Sequence, residues 1–241
     1  MAVVHRHVAA GDNDVGDGRA DLERIPICDD EVRDLSRLEA ADAIGHTEHL
    51  GFVGAGIVPL FPARIAGVAV TVAAPGRDGA IIYRAVDQLL PGDVLVISRV
   101  DSDDIACVGG GVATAVKAKG AAGIIIDGPC TDPEEIIATG LPVWCRGTSS
   151  KTTNRQFSIG GSLNVPVACG RTAILPGYAV LADCCGVFAT ERQSMRSIAE
   201  DALARQKRST LIRAHLAAGH SIFDFKEPAR ENRIDSDELS A

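Results

Sequence analysis

The sequence predicts an α/β protein built on one mixed sheet, and three observations carry that prediction. Of its 241 residues 46% are hydrophobic but only 4% aromatic, and 25 are glycine; such a composition suits strands of Val, Ile and Ala joined by tight turns. Residues 94–127 read strand, glycine loop, helix, strand, a βαβ unit whose two strands run parallel. Beyond it come several short apolar runs separated by Pro-Gly and Gly turns, the pattern of short strands.

The elements follow in order. Residues 1–24, rich in Gly, Asp and Ala without periodicity, read as a mobile arm. From Asp30 the apolar positions Val32, Leu35, Leu38 and Ala41 recur at helical spacing behind two aspartates suited to capping. "AGVAVTVAA" (66–74) alternates as a strand and stops at Pro75-Gly76. "AIIYRAVDQLL" is helix-like, and "PGD" turns the chain into the strand "VLVISRV". Glycines 109–111 open an Ala-rich helix at about 111–119, Gly120 ends it, and the strand 123–127 follows. "LPVWCRG", "GSLNVPVACG", "AVLAD" and "GVFAT" read as further strands, and a long charged helix covers about 190–217. Neither a repeat nor a linker interrupts residues 25–225, which form one domain, and 226–241 is a polar tail.

Charge and cysteine usage narrow the functions. The formal net charge is −8 with acidic residues spread along the chain, so no basic face for a phosphate backbone is built and a nucleic-acid partner is not expected. Seven cysteines form no C-x-x-C pair and read as small buried thiols of a reducing compartment. The neighbouring Cys184 and Cys185 cannot both point to one face of a strand, so a shared zinc is not expected. The N-terminus lacks a signal peptide's apolar core, and no run reaches membrane-spanning length. A cytoplasmic protein with no membrane partner is expected.

Two features carry chemistry. Glycines 109–111 precede a helix N-terminus, whose unpaired N–H groups and partial positive charge suit a carboxylate or phosphate. The loop is neither a P-loop nor a complete dinucleotide fingerprint. The second feature is the corner "DGPCTD" (127–132), at the exit of a parallel strand, where ligands of open α/β sheets bind. A structural reading competes there. Asp132 before Pro133 and Glu134-Glu135 has the pattern of an N-cap aspartate, and Asp127-Gly128 is good turn chemistry. The two readings stay open at this point.

"GGGVATAVKAKGAAGIIIDGPCTDPEEI", followed by "GLPVWCRG", "LNVPVACG" and the final "RAHLAAGHS", resembles the RraA-like family over about residues 35–221. That family holds 4-hydroxy-4-methyl-2-oxoglutarate and 4-carboxy-4-hydroxy-2-oxoadipate aldolases and a regulator of the ribonuclease E degradosome. The resemblance implies an α/β/β/α sandwich of the swivelling β/β/α type, a homotrimer or hexamer, and active sites between subunits. It implies a small carboxylate substrate bound by the amides of Gly109, Gly110, Gly111 and Val112, and Mg²⁺ or Mn²⁺ held by Asp132 through water. In the family's aldolases a glycine, twenty residues and Arg-Asp form the catalytic signature.

Here Gly110 and twenty residues lead to Thr131-Asp132. The aspartate is kept and the arginine is a threonine, which supplies no fixed charge and no bidentate fork. The family's acidic stretch reads Ala182-Asp183-Cys184-Cys185-Gly186, and Ser209 or Thr210 stands where a glutamate is common. The expectation is therefore a divalent-metal carbon–carbon lyase, an aldolase or decarboxylase of a small oxo- or hydroxy-acid, diverged from ordinary pyruvate aldolases. Catalytic candidates are Asp132, Thr131 and Cys130, the last as an acid/base or nucleophile, with Thr131 also touching substrate. Arg84, Arg146 and Lys151 are candidates to replace the missing arginine. A different reaction in the same pocket (an isomerase, dehydratase or hydrolase) and a protein-binding regulator are the alternatives.

Overall fold

In a computed structural model the chain is described for residues 38, 42–46, 48, 50–101, 104–155 and 160–227. The arm, most of the first helix and all but the first two residues of the tail lie outside the described residues. Continuous apolar runs build the centre of the sheet. β3 (Asp93–Arg99) is buried along its whole length, as a strand covered on both faces must be. It pairs in parallel with β2 (Ile65–Ala74) and with β4 (Gly123–Asp127), and β4 pairs in parallel with β5 (Val143–Cys145). The expected βαβ unit is present, its crossover being α3 (Gly110–Ala118). Upstream, α1 is the short helix Asp42–Gly45 and α2 the helix Ala80–Gln88. Downstream, α4 (Pro133–Thr139) links β4 to β5.

Antiparallel strands complete the mixed sheet. Its order is β1-β5-β4-β3-β2-β9-β10, with β6 also pairing to β2. Here β1 is Val58–Pro59, β6 Ser162–Leu163, β9 Ala179–Ala182 and β10 Val187–Thr190. The run "GSLNVPVACG" is not one strand. Asn164 takes a left-handed φ of 53°, and after this break β7 (Val167–Cys169) leaves the sheet to pair with β8 (Thr172–Ile174).

This hairpin forms a second, small β layer. Val167, Cys169 and Ile174 pack with Val94, Val96, Ile125 and Trp144 of the large sheet. On the opposite face Leu95, Ile97, Ile124 and Ile126 pack against Ile82, Val86, Val112, Val116 and Ile136 of α2–α4. The long helix α5 (Arg192–Ala217) buries Met195 and Ala202 against Leu181 and Phe188 at the β9–β10 end. Helices, large sheet and small sheet thus stack in the layered α/β order that the resemblance implies.

Candidate functional site

Strands β3, β4 and β5 end together at Arg99, Asp127 and Cys145, so the parallel register brings three strand exits side by side. Alternation along β4 puts Ile124 and Ile126 on the helical face, and Ile125 and Asp127 on the other. Asp127 reaches toward the β7–β8 layer. Its Oδ2 accepts from the Gly170 N–H at 2.7 Å, and Oδ1 accepts from Arg146 Nε in an ion pair. The turn chemistry expected of Asp127 is therefore a clasp between β4, the segment after β5, and the small hairpin.

Cys130 turns the other way and is fully buried in the helical-face core. Its sulfur lies 3.6 Å from that of Cys145. The hydrogen-bonded Cys145 thiol and burial push the Cys130 thiol well above the ordinary cysteine range, so it stays protonated. The role of nucleophile or acid/base set out for Cys130 does not suit this environment, because the thiolate is the reactive form and solvent does not reach the group. Cys130 is a core residue.

Asp132 stands at the N-cap position of α4 but does not cap it. Its backbone is left-handed, φ 51° and ψ 50°, and its side chain makes no cap hydrogen bond. The N-cap reading is corrected on this point. Asp132 Oδ1 instead accepts from the Thr131 hydroxyl at 3.2 Å. Its Oδ2 leans toward α3, only 2.6 Å from where a Cβ on Gly109 would stand. A non-glycine residue held in this conformation costs on the order of 1–2 kcal/mol, and such positions concentrate at functional sites.

Glycines 109 and 110 are required for this approach. A Cβ on Gly110 would lie 2.1 Å from Glu135 Oε2 and 2.7 Å from Glu135 Cβ. The N-terminus of α3 therefore faces two carboxylates of its own chain, those of Asp132 and Glu135, which complement its partial positive charge. Gly111 is exposed with nothing within 4 Å of its Cβ position, whereas the Val112 side chain is buried in the core. Backbone N–H groups are what Gly111 and Val112 can offer a guest. The donors at the corner are all oxygens: the exposed carboxylates of Asp132 and Glu135 and the hydroxyl of Thr131. That set fits a hydrated hard cation held mainly by one carboxylate.

A cleft of about 670 Å³ opens at the same strand ends, lined by Arg99, Asp104, Asp127, Arg146, Ser149 and Lys151 among others. Two of the three candidate replacements for the missing arginine, Arg146 and Lys151, line it, whereas Arg84, exposed on α2, does not. Sequence reasoning missed Arg99. Its stem packs on Gly128, and its buried guanidinium donates to the Gly76 carbonyl at 2.6 Å and pairs with Asp101 at 3.3 Å. An arginine ending the strand run "VLVISR", apolar as far as Ile97, was the available signal. The cleft lining contains neither glycines 109–111 nor residues 130–132.

A family model described as RraA-like, Aldolase/RraA, matches residues 27–189. The chain belongs to the RraA-like family. A Halalkalibacterium halodurans protein, provisionally named a 4-hydroxy-4-methyl-2-oxoglutarate aldolase, is 29% identical over 143 residues, 59% of this chain and 67% of that protein. A Hahella chejuensis protein with the same provisional name is 33% identical over 112 residues, 46% of this chain and 67% of its own. Among solved structures, that of Streptomyces coelicolor RraAS2, described as an unusual member of the RNase ES inhibitor RraA protein family, aligns with a TM-score of 0.69. It is 28% identical and covers 77% of this chain and 98% of its own. Among the described residues no helix is long and apolar enough to cross a membrane.

Proposed function

We propose that this RraA-like protein is a divalent-metal carbon–carbon lyase acting on a small oxo- or hydroxy-carboxylic acid by aldol cleavage or decarboxylation. The observation that carries the reading is Asp132: a strained, exposed carboxylate that does not cap its own helix and leans toward the N-terminus of α3. The provisional aldolase names of the relatives support the same class. In this reading Asp132 would hold Mg²⁺ or Mn²⁺ through water, and Thr131 would steady the carboxylate through its hydroxyl. The N–H groups of Gly111 and Val112 would hold a substrate carboxylate. The metal ion, when bound, would supply Lewis acidity toward the substrate's carbonyl oxygen. Release of pyruvate from hydroxy-methyl-oxoglutarate or oxaloacetate, followed for the wild type and Asp132→Asn with Mg²⁺ present, tests it. Turnover is expected for the wild type and loss of it for the variant; equal rates would remove Asp132 from the mechanism.

One observation favours a second reading. The chain spans 98% of the Streptomyces inhibitor-family structure, and a protein-binding regulator needs no arginine at position 131. That reading predicts inhibition of an RNase ES-type ribonuclease with no turnover of any oxo-acid. A homotrimer or hexamer belongs to either reading.

A further inference from the structure

The strand alternation that separates Cys184 from Cys185 does not apply, because the two residues are not on a strand. β9 ends at Ala182 and β10 begins at Val187, so residues 183–186 form the turn between them. In that turn the carboxylate of Asp183 and the sulfurs of Cys184 and Cys185 all lie within 4.8 Å of one another. Among the described residues no other three His, Cys, Asp or Glu side chains come so close. Both thiols are exposed, unlike Cys107, Cys130, Cys145 and Cys169, which are buried. They are therefore reachable from solvent.

We infer that the 183–185 turn is a binding site for a thiophilic divalent metal ion, Zn²⁺ in the first instance, ligated by the Cys184 and Cys185 thiolates and the Asp183 carboxylate. Ligand type argues for this class, since thiolates select zinc and softer ions over Mg²⁺ and Ca²⁺. Distance argues for it too. Zn–S bonds of about 2.3 Å and Zn–O bonds of about 2.1 Å in tetrahedral geometry set the ligand atoms about 3.6–3.8 Å apart. Asp183 is buried, so rotation of the two exposed cysteine side chains closes that gap. The carboxylate is already positioned, because Asp183 Oδ1 accepts from the N–H groups of Cys185 at 2.7 Å and Gly186 at 3.2 Å. Three protein ligands leave a fourth position to water, the open arrangement of an exchangeable site. Each thiol that ligates releases its proton to solvent with no change of oxidation state, so affinity falls as pH falls.

The chain also carries its own reporter. Trp144, its single tryptophan, is buried and donates its indole N–H to the Asp183 carbonyl oxygen at 2.8 Å. The experiment is a titration of the reduced, full-length protein with Co²⁺. Absorption gives the thiolate-to-metal charge-transfer band and fluorescence gives Trp144 quenching. One Co²⁺ per chain with both signals is expected, displaced by Zn²⁺ and unaffected by excess Mg²⁺. The Cys184→Ser/Cys185→Ser variant, altered only at exposed positions, should keep the wild-type circular dichroism and lose both signals. Absence of the band in the reduced wild type overturns the inference. So does an unchanged band and stoichiometry in the double variant, which would place the metal on other thiols.

Discussion

Asp127→Ala removes two interactions at once. Gly170 is buried, and its N–H loses the carboxylate oxygen that accepts it at 2.7 Å. An N–H stranded in this way costs about 1–3 kcal/mol. Arg146 loses its ion-pair partner, but that pair has side chains 40% and 21% exposed, so solvent screening limits its share to at most about 1 kcal/mol. A loss of roughly 3 kcal/mol in total follows for alanine. Asp127→Asn keeps an oxygen for Gly170 and gives up the charge, so about 1 kcal/mol is expected. Urea denaturation of the three proteins measures the ladder. The Asp127 charge also helps to hold the Cys169 thiol up, so both variants should lower the pH at which Cys169 titrates. Alanine and asparagine variants of equal stability, or an unmoved Cys169 titration, would refute the clasp.

Gly67→Ala should destabilise by about 2 kcal/mol or more, because its Cβ would stand 2.2 Å from the Gly92 carbonyl oxygen and 2.9 Å from Val94 Cγ2; thermal denaturation checks it. Burial, then the charge of Asp127, raises the Cys169 thiol from 9.0 to about 12 against the opposing Arg146. Its folded pKa is raised, so this stabilisation is complete below pH 9 and is lost as pH climbs toward 12. The full change is on the order of 4 kcal/mol, and stability measured across that window should fall less steeply for Cys169→Ala than for the wild type. Light scattering at micromolar concentration should give a trimer or hexamer; a lone monomer would contradict the proposed assembly.

Much of the fold is legible because local signals agree with it. The apolar runs of β3 and β4, with a glycine loop and an Ala-rich helix between them, specify the parallel unit without reference to the rest of the chain. The β7–β8 hairpin is not legible. Its strands are three residues long, and of the left-handed residues that shape its approach and its turn, Asn164, Gly170 and Arg171, only Gly170 is the usual signal. The site divides in the same way. The position of Asp132 can be read, since Asp-Pro announces a helix start, but its left-handed backbone and its approach to Gly109 at the start of α3 cannot. The clasp of Asp127 with Arg146 and Gly170, and the place of Arg99 in the cleft, need the register of three strands. Strand alternation fails for Cys184 and Cys185 because they lie in the turn between β9 and β10, where it has no meaning.

The central claim is that Asp132 still serves a lyase site from which one fixed positive charge, at position 131, is missing. Pyruvate release with Mg²⁺ present, measured side by side for the wild type, Thr131→Arg and Thr131→Arg/Asp132→Asn, tests it most directly. An arginine facing charge that develops as the carbon–carbon bond breaks acts on the rate more than on binding. The loss of such a group costs on the order of a hundredfold. The account predicts a slow wild type, a partial gain toward that factor in Thr131→Arg, and disappearance of the gain when Asp132 is also changed. A wild type already as fast as Thr131→Arg, or a gain that survives Asp132→Asn, would contradict it.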